Sequence, residues 1–300
     1  MTQSNEIKKS GYVAIIGKPN VGKSTLMNFI LGKKLSITSR KPQTTRHRIL
    51  GVKTAGDTQV VYLDTPGLHQ DQKKLMNRIM NRAAMSTLEE VDVILLMVEA
   101  LRWDDADEDA LKKLKSLSIP VILVVNKIDR VKDKEQLLPF IKMLSAKFEF
   151  KNIFPVSAKT GVQVNELESV ITSLLPSDVP FFPPEQFTDR SDKFIVTEFV
   201  REKLMRSLGD ELPYETAVTI EAFEEDEKIV KIAALIWVNR SSQKPIVIGK
   251  GGEILKLVGT QARHDLETYF DKKVLLKLWV KVKSGWSDDA RSLQSFGYDE

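Results

Sequence analysis

The sequence predicts an α/β domain with a mostly parallel sheet, followed by a smaller α+β domain. Over residues 12–175, short runs rich in Val, Ile and Leu alternate with helical segments, a pattern typical of a parallel sheet covered on both faces. Four prolines then fall within residues 176–184 and exclude regular structure there. We therefore predict domains at residues 1–178 and 191–300, joined by a linker at 179–190.

Hydrophobic periodicity places the elements of both domains. In the first domain, strands are predicted at 12–16, 60–63, 91–98, 121–125 and 153–156, and helices at 25–32, 75–88, 107–117, 134–147 and 164–175. In the second domain, helices are predicted at 192–208, from 245 onward, at 253–270 and at 288–295, and strands at 217–221, 229–238 and 274–283. Ligands of a parallel sheet bind at the carboxyl ends of its strands, and we expect the functional loops there.

Composition excludes several classes of function. The chain has no cysteine, which excludes disulfides, thiolate zinc sites and a cysteine nucleophile. The longest apolar runs, residues 93–98 and 121–125, are too short to cross a bilayer, and the first run is too short for a signal peptide. We therefore expect a cytoplasmic protein. Because the net charge is only +4, any surface for a polyanion would be a local patch.

The most specific motif is a phosphate-binding P-loop, G-x-x-x-x-G-K-[ST], between the first strand and the first helix. Its glycines let main-chain N–H groups turn toward phosphate oxygens at the positive end of the helix dipole. Lys23 would bring its charge to the β- and γ-phosphates, and the Ser24 hydroxyl would bind Mg²⁺. An ordinary turn between strand and helix is the alternative. The predicted nucleotide contacts here are Gly17, Lys18, Pro19, Asn20, Val21, Gly22, Lys23, Ser24 and Thr25.

A second motif, Asp64-Thr65-Pro66-Gly67, follows the strand at residues 60–63. Asp64 would hold Mg²⁺ through a water molecule, and the Gly67 N–H would approach the γ-phosphate. The same four residues also form a common β-turn, but their position after a P-loop favours a nucleotide site. The next residue, Leu68, has no hydrogen-bonding side chain, so another group must position the attacking water.

A third motif, Asn126-Lys127-Ile128-Asp129, predicts the base. Asp129 would accept hydrogen bonds from N1–H and the 2-amino group of guanine, donors that adenine lacks. Bonds to a charged acceptor are each worth about 1.5–3 kcal/mol, which gives roughly a 10²- to 10⁴-fold preference for guanine. Asn126 would connect this loop to the P-loop, and the stem of Lys127 would lie along the base. A polar turn after a strand is the alternative.

Two weaker patterns complete the predicted nucleotide site. Ser157-Ala158-Lys159 follows the fifth predicted strand, so the Ala158 N–H would reach guanine O6. Residues 36–48 are polar and basic without periodicity, as in a switch loop that supplies a threonine hydroxyl to Mg²⁺ and releases it after hydrolysis. We predict Thr45 as that ligand, with Thr44 as the alternative. A solvated surface loop has the same composition.

Together these motifs resemble the translation-factor-related GTPases of the Era, TrmE and Der group over residues 12–175. The resemblance implies a P-loop GTPase that binds GTP or GDP with Mg²⁺. The predicted catalytic residues are Lys23, Thr45 and Gly67, and the predicted Mg²⁺ ligands are Ser24, Thr45 and Asp64. In similar GTPases an asparagine placed as Asn20 binds K⁺. We therefore expect slow hydrolysis that is accelerated by K⁺ and by ordering of the switch loop.

The second domain contains a glycine break, Gly249-Lys250-Gly251-Gly252, between two helical segments. Without side chains at its glycines, such a loop lets a nucleic-acid backbone approach the helix N-termini and Lys250. A helix-capping turn is the alternative. The order helix-strand-strand-helix-loop-helix-strand resembles the type II KH domain, whose groove binds about four nucleotides of single-stranded RNA. The predicted RNA contacts are Ile248, Gly249, Lys250, Gly251, Gly252, Lys256, Lys277, Lys281 and Lys283.

A GTPase domain of this group followed by a KH domain resembles the Era family of bacterial ribosome-assembly GTPases. The agreement extends to residues 202–206, 211–214 and 278–286. The resemblance implies a GTP-hydrolysing switch that binds the 3′ end of 16S ribosomal RNA and assists maturation of the 30S subunit, in contact with its proteins. It also implies peripheral association with the inner membrane, and we expect a monomer.

Two other functions are compatible with the same residues. The chain could be a GTPase signalling or membrane-surface module whose second domain binds protein. It could also be a structural RNA-binding protein in which the nucleotide only stabilises the fold. RNA binding by a variant of the glycine loop separates the first alternative from the favoured function. RNA binding and subunit assembly by Lys23→Ala at the wild-type level would favour the second alternative.

Overall fold

The computed structural model describes residues 9–39, 41, 44–66, 88, 90–209, 211–286, 289, 294 and 296. These described residues divide into two compact units. The first unit contains the chain up to Ser36 and from Thr45 to Asp189, and the second contains Ile37–Thr44 and the chain from Arg190 onward. Gly67 and Leu68 lie outside the described residues, as do nearly all residues of the helices predicted at 75–88 and 288–295.

The first unit is built on a mostly parallel sheet, which confirms the predicted fold class. Its described strands are β1 (Lys9–Ile16), β2 (Ile49–Ala55), β3 (Thr58–Asp64), β4 (Val93–Glu99), β5 (Val121–Asn126) and β6 (Asn152–Pro155), in the spatial order β2-β3-β1-β4-β5-β6. All neighbours pair in parallel except β2, which is antiparallel to β3 at the edge. The periodicity does not predict β2, because Gly51 and Lys53 interrupt its apolar residues.

Four described helices belong to this unit: α1 (Lys23–Leu31), α2 (Asp105–Leu114), α3 (Leu137–Ser145) and α4 (Val164–Leu174). α2 begins two residues before the predicted start because Asp104 caps it, accepting hydrogen bonds from the N–H groups of Ala106 and Asp107. α3 is shorter than predicted, since Lys134–Gln136 form a 3₁₀ turn. The core lies between sheet and helices, where apolar side chains of β4 and β5 pack with buried leucines of α2 and α3.

The proline-rich segment predicted as a linker packs on the first unit. The side chain of Gln59, fully buried in β3, accepts hydrogen bonds from the N–H groups of Phe181 (2.8 Å) and Phe182 (2.9 Å) and donates to the Phe182 carbonyl (2.7 Å). Further on, the Thr188 hydroxyl donates to the Leu50 carbonyl in β2 (2.7 Å). These contacts explain why the boundary between the compact units falls after Asp189 rather than at residue 178.

The second unit contains a three-stranded sheet among its described residues, with helices packed against it. Its helices are α5 (Asp192–Ser207), α6 (Gln243–Ile248) and α7 (Glu253–Phe270), and its strands are β7 (Thr216–Glu225), β8 (Ile229–Val238) and β9 (Lys273–Val282). β7 and β8 are antiparallel, whereas β8 and β9 are parallel. The element order is the one predicted. Within the described part of the chain, no helix is both long and apolar enough for a membrane span.

We predict that Gln59→Ala loosens the segment at residues 176–188. The substitution leaves the N–H groups of Phe181 and Phe182 without their acceptor, which should lower the free energy of unfolding by about 2–3 kcal/mol. Urea denaturation measures this loss, and limited proteolysis should show faster cleavage near Phe181. Gln136→Ala, at an exposed position, is the control. Equal stability of the two variants would contradict the prediction.

Candidate functional site

The P-loop folds its main chain around the buried ammonium of Lys23. Nζ of Lys23 donates to the carbonyl oxygens of Gly17 (2.9 Å) and Lys18 (3.1 Å). The turn requires left-handed backbone at Gly17 (φ +146°) and Gly22 (φ +110°), and a Cβ at Gly17 would lie 2.4 Å from the Met97 carbonyl oxygen. Glycine is therefore needed at both places. The loop opens at the N-terminus of α1, where main-chain N–H groups can bind phosphate oxygens.

Ser24, Thr45 and Asp64 bring oxygen atoms together beside the P-loop. Ser24 Oγ donates to Asp64 Oδ2 (2.7 Å) and lies 3.0 Å from Thr45 Oγ1. Hydroxyl and carboxylate oxygens are the ligands that Mg²⁺ prefers, so the predicted ligand set fits the ion. Bound Mg²⁺ would neutralise charge on the phosphates. Burial raises the pKa of Asp64, and the nearby Lys23 charge opposes that shift.

The Asn126 side chain joins the base-binding loop to two other loops. Its Nδ2 donates to the Val21 carbonyl in the P-loop (2.7 Å), and its Oδ1 accepts from the Ala158 N–H (2.9 Å). Ser157 Oγ donates to Asp129 Oδ1 (2.7 Å) and so orients that exposed carboxylate. The structure thus brings together the three loops that the sequence predicts to bind the base and the phosphates.

Several predicted nucleotide contacts have partners of their own in the protein. Lys127 Nζ forms an ion pair with Glu99 (2.6 Å). The Thr65 hydroxyl donates to the Ile15 carbonyl in β1 (3.0 Å), so a nucleotide contact by Thr65 would use its main chain. The Thr44 hydroxyl donates to the Lys41 carbonyl (2.7 Å), whereas the Thr45 hydroxyl lies 3.0 Å from Ser24 Oγ. These contacts favour Thr45 as the hydroxyl that reaches Ser24.

One contact in the P-loop was not predicted. Lys18 Nζ lies 2.6 Å from Asp104 Oδ2 and 2.7 Å from Asp107 Oδ2. Asp104 is the N-cap of α2, so the ion pairs connect the P-loop to that helix end. No local pattern in the sequence indicates that Lys18 is the partner of Asp104 and Asp107.

The glycine loop of the second unit borders a groove between α7 and β9. The groove has a volume of about 400 Å³ and is lined by Gly252, Leu255, Lys256, Gly259, Thr260, Arg263, Leu276 and Leu278. The glycine loop uses left-handed backbone at Gly251 (φ +62°) and Gly252 (φ +83°), and none of the described atoms lies within 4 Å of a Cβ built at either position. Main chain is therefore accessible at the loop, as contact with a nucleic-acid backbone requires.

The predicted RNA contacts divide between two faces of the sheet. Lys256 lines the groove together with Leu276 and Leu278. Because side chains alternate along a strand, Lys277 and Lys281 project from the opposite face of β9, where both are exposed. Lys283 follows the end of β9, with its ammonium 4.8 Å from the centre of the Phe296 ring. Arg263 lines the groove and was not predicted.

The fold and these loops define a P-loop GTPase domain followed by a KH domain. A family model for 50S ribosome-binding GTPases matches residues 12–127, and a KH-domain model matches residues 211–287. GTPase Era of Coxiella burnetii (strain Dugway 5J108-111) is 56% identical over 97% of this chain and 98% of that protein. GTPase Era of Pseudomonas aeruginosa (strain LESB58) is 51% identical over 97% and 96%. The chain belongs to the Era family of GTPases, and it is a GTPase.

Solved structures of this family agree with the fold throughout. The crystal structure of a point variant of Aquifex aeolicus Era bound to GDP·AlF₄⁻ is 41% identical and superposes with a TM-score of 0.93, covering 97% of this chain and all of that one. A crystal structure of Era with MgGDPNP and nucleotides 1506–1542 of 16S ribosomal RNA has the same identity and TM-score, covering 98% of this chain and all of that one.

We predict that nucleotide binding is linked to proton uptake at Lys23. Burial lowers the pKa of Lys23 to about 8, and the negative charge of bound phosphates should raise it again. Between those two pKa values the complex holds more protons than the free protein, so affinity is greatest below pH 8 and falls as the pH rises. Calorimetry of GDP binding with Mg²⁺ in two buffers of different ionisation heat should show uptake of roughly three quarters of a proton at about pH 8.5 and almost none at about pH 7.

Two variants of the P-loop test whether Lys23 is the group that takes up this proton. Lys23→Met should remove the uptake, whatever affinity is left. Lys18→Met should retain it: burial lowers the pKa of Lys18, but hydrogen bonds to Asp104 and Asp107 outweigh burial and raise it, so Lys18 stays charged. Uptake that persists unchanged in Lys23→Met would contradict the assignment.

Proposed function

We propose that this GTPase is a switch that binds the 3′ end of 16S ribosomal RNA as a single strand and assists maturation of the 30S subunit. The open glycine loop beside the groove between α7 and β9 carries the proposal. A relative that is 41% identical along the whole chain was crystallised with MgGDPNP and nucleotides 1506–1542 of that RNA. Contact with 30S proteins, a cytoplasmic location, peripheral association with the inner membrane and a monomeric state remain predictions from the sequence analysis.

In the proposed nucleotide site, the chain's own residues bind and orient GTP with Mg²⁺. Lys23 would exchange its carbonyl acceptors for phosphate oxygens, and the P-loop N–H groups would bind the same phosphates. Ser24, Thr45 and Asp64 would hold the ion, the last through water. Asp129 would select guanine, with its carboxylate oriented by Ser157. Gly67, outside the described residues, stays a predicted contact of the γ-phosphate.

We predict that Gly251→Asp abolishes RNA binding and preserves GTP turnover. Gly251 is exposed in left-handed backbone, which Asp tolerates, and the new carboxylate would face RNA phosphates, so affinity should fall roughly tenfold or more. Gly249 is a less suitable site, because a Cβ there would lie 2.8 Å from the Ile254 nitrogen. Fluorescence anisotropy with a short oligonucleotide of the 16S 3′ end measures affinity.

Gly56→Asp is the matched control for this experiment. Gly56 has the same backbone conformation (φ +59°) in the turn between β2 and β3, and none of the described atoms lies within 4 Å of its Cβ position. Unchanged RNA affinity in Gly251→Asp would favour a second domain that binds protein. Equal affinity of the wild type with GDP and with a non-hydrolysable GTP analogue would favour an RNA-binding protein that nucleotide merely stabilises.

We also predict that K⁺ accelerates hydrolysis through Asn20. Asn20 is exposed in the P-loop with left-handed backbone (φ +65°), and a fixed cation there would stabilise charge on the phosphates. Turnover should be on the order of tenfold faster in K⁺ than in Na⁺ buffer. Asn20→Gly keeps the backbone conformation without the side-chain oxygen, and should equalise the two rates. Equal wild-type rates in both buffers would refute a role for K⁺.

A further inference from the structure

Helix α5 buries four charged side chains within residues 198–203. Glu198 and Arg201 are each 1% exposed, Glu202 is fully buried and Lys203 is 4% exposed. Burying charge is costly unless every group is paired and hydrogen-bonded. Four buried charges on one helix therefore require ion-pair and hydrogen-bond partners for each of them.

The charges first pair with one another. Arg201 binds Glu198 through two hydrogen bonds, Nε to Oε1 (2.7 Å) and Nη2 to Oε2 (2.6 Å). Glu202 pairs with Lys203 (2.9 Å) and with Arg206 one turn further on (2.9 Å). Lys203 in turn pairs with Asp265 of α7.

The same groups also bind the segment Ile37–Thr44, which belongs to this unit. Glu202 Oε1 accepts from the Thr38 N–H (2.9 Å), and Arg206 donates to the Thr38 carbonyl through Nε (3.1 Å) and Nη2 (2.9 Å). Lys41 Nζ donates to the carbonyls of Leu208 and Gly209 just beyond the helix, where a cation is favoured by the helix dipole.

The last contact is made by Thr44, which directly precedes the predicted Mg²⁺ ligand Thr45 in the chain. Arg201 Nη2 donates to the Thr44 carbonyl, which belongs to the peptide group that carries the Thr45 nitrogen. Thr45 is the buried hydroxyl 3.0 Å from Ser24 Oγ. Because a peptide group is planar and rigid, fixing its carbonyl restricts the position of the following residue.

We infer that Arg201 and Arg206, with the buried Glu202, are positioning residues for GTP hydrolysis. They fix the main chain of Thr38 and Thr44, which belong to the same unit, and so restrict the position of the next residue in the chain, Thr45. The inference rests on the proposed function of Thr45 as a Mg²⁺ ligand. It gives the buried charges of α5 a role in catalysis that a purely structural ion-pair network would lack.

Arg201→Lys is the primary test. Arg201 Nη2 donates both to Glu198 and to the Thr44 carbonyl, while Nε donates to Glu198. Lysine retains a positive charge against the buried Glu198, but its single, shorter-reaching ammonium cannot replace both nitrogens. Single-turnover hydrolysis should slow roughly tenfold, and the Mg²⁺ concentration for half-maximal rate should rise severalfold. GDP affinity should stay close to wild type, whereas the unfolding midpoint should fall because a hydrogen bond to the buried Glu198 is lost. Arg240→Lys, an exposed arginine of the same unit, should change none of these.

A double-mutant cycle tests whether Arg201 affects hydrolysis through Thr45. If Arg201 acts through Thr45, Arg201→Lys should cause little further loss in a Thr45→Ala background. A loss that persists in full there, or wild-type rates and Mg²⁺ dependence in Arg201→Lys, would overturn the inference while leaving the proposed role of Thr45 intact. Normal hydrolysis by Thr45→Ala alone would instead refute that role, and with it the inference.

Arg206→Met provides a second variant if Arg201→Lys fails to fold. The Arg206 side chain is 46% exposed, so its loss leaves Glu202 paired with Lys203 and with the Thr38 N–H. The same slower hydrolysis, the same higher Mg²⁺ requirement and the same non-additivity with Thr45→Ala are expected. Rescue of the rate by Arg206→Lys would support positioning, whereas a wild-type rate in Arg206→Met would count against it.

Discussion

The nucleotide site depends on the close approach of Asn126 to the P-loop. A Cβ at Gly22 would lie 2.3 Å from Asn126 Nδ2. The position of the Asn126 side chain therefore requires glycine at position 22. From there Asn126 binds the Val21 carbonyl and the Ala158 N–H. One side chain thus holds the phosphate loop and both base loops in register, while the parallel pairing of β1, β4, β5 and β6 brings those loops to the same edge of the sheet.

The sequence predicts the positions of these loops because the first three motifs follow buried strands. Continuous apolar runs at β1, β3, β4 and β5 give the sheet, and loops after parallel strands must meet at one edge. Asn126 was predicted to contact the P-loop, and it does. The edge strand β2 was not predicted, since an edge strand has a weaker apolar pattern. The ion pairs of Lys18 with Asp104 and Asp107 were also not predicted, because pairing between distant loops leaves no local signal.

The sequence pattern of α5 also gives a wrong indication of which charged side chains are buried. Glu198, Glu202 and Arg206 recur at helical spacing, which usually marks a solvated face. In the structure Glu198 and Glu202 are buried and only Arg206 is exposed. The two buried carboxylates are paired with Arg201 and Lys203, and Glu202 also accepts from the Thr38 N–H. The alternation in β9 predicts the strand, but it does not tell which face borders the groove. For this reason Lys277 and Lys281, predicted as RNA contacts together with Lys256, lie on the face opposite the groove.

The contacts of Thr38, Lys41 and Thr44 would suit the proposed switch segment, which would have to be held in one nucleotide state and released in the other. They are hydrogen bonds to main-chain groups, each worth roughly 1 kcal/mol net, or up to about 3 where the partner is charged. A ligand can shift such an equilibrium only by its different affinity for the two arrangements, and a γ-phosphate with Mg²⁺ can supply a few kcal/mol through charge-assisted bonds. The free energy of the contacts from α5 is therefore of the same order as that of the bonds to γ-phosphate and Mg²⁺ that would compete with them. A buried apolar anchor of the same length would hold the segment too firmly, and a solvated loop would give Thr45 no defined position.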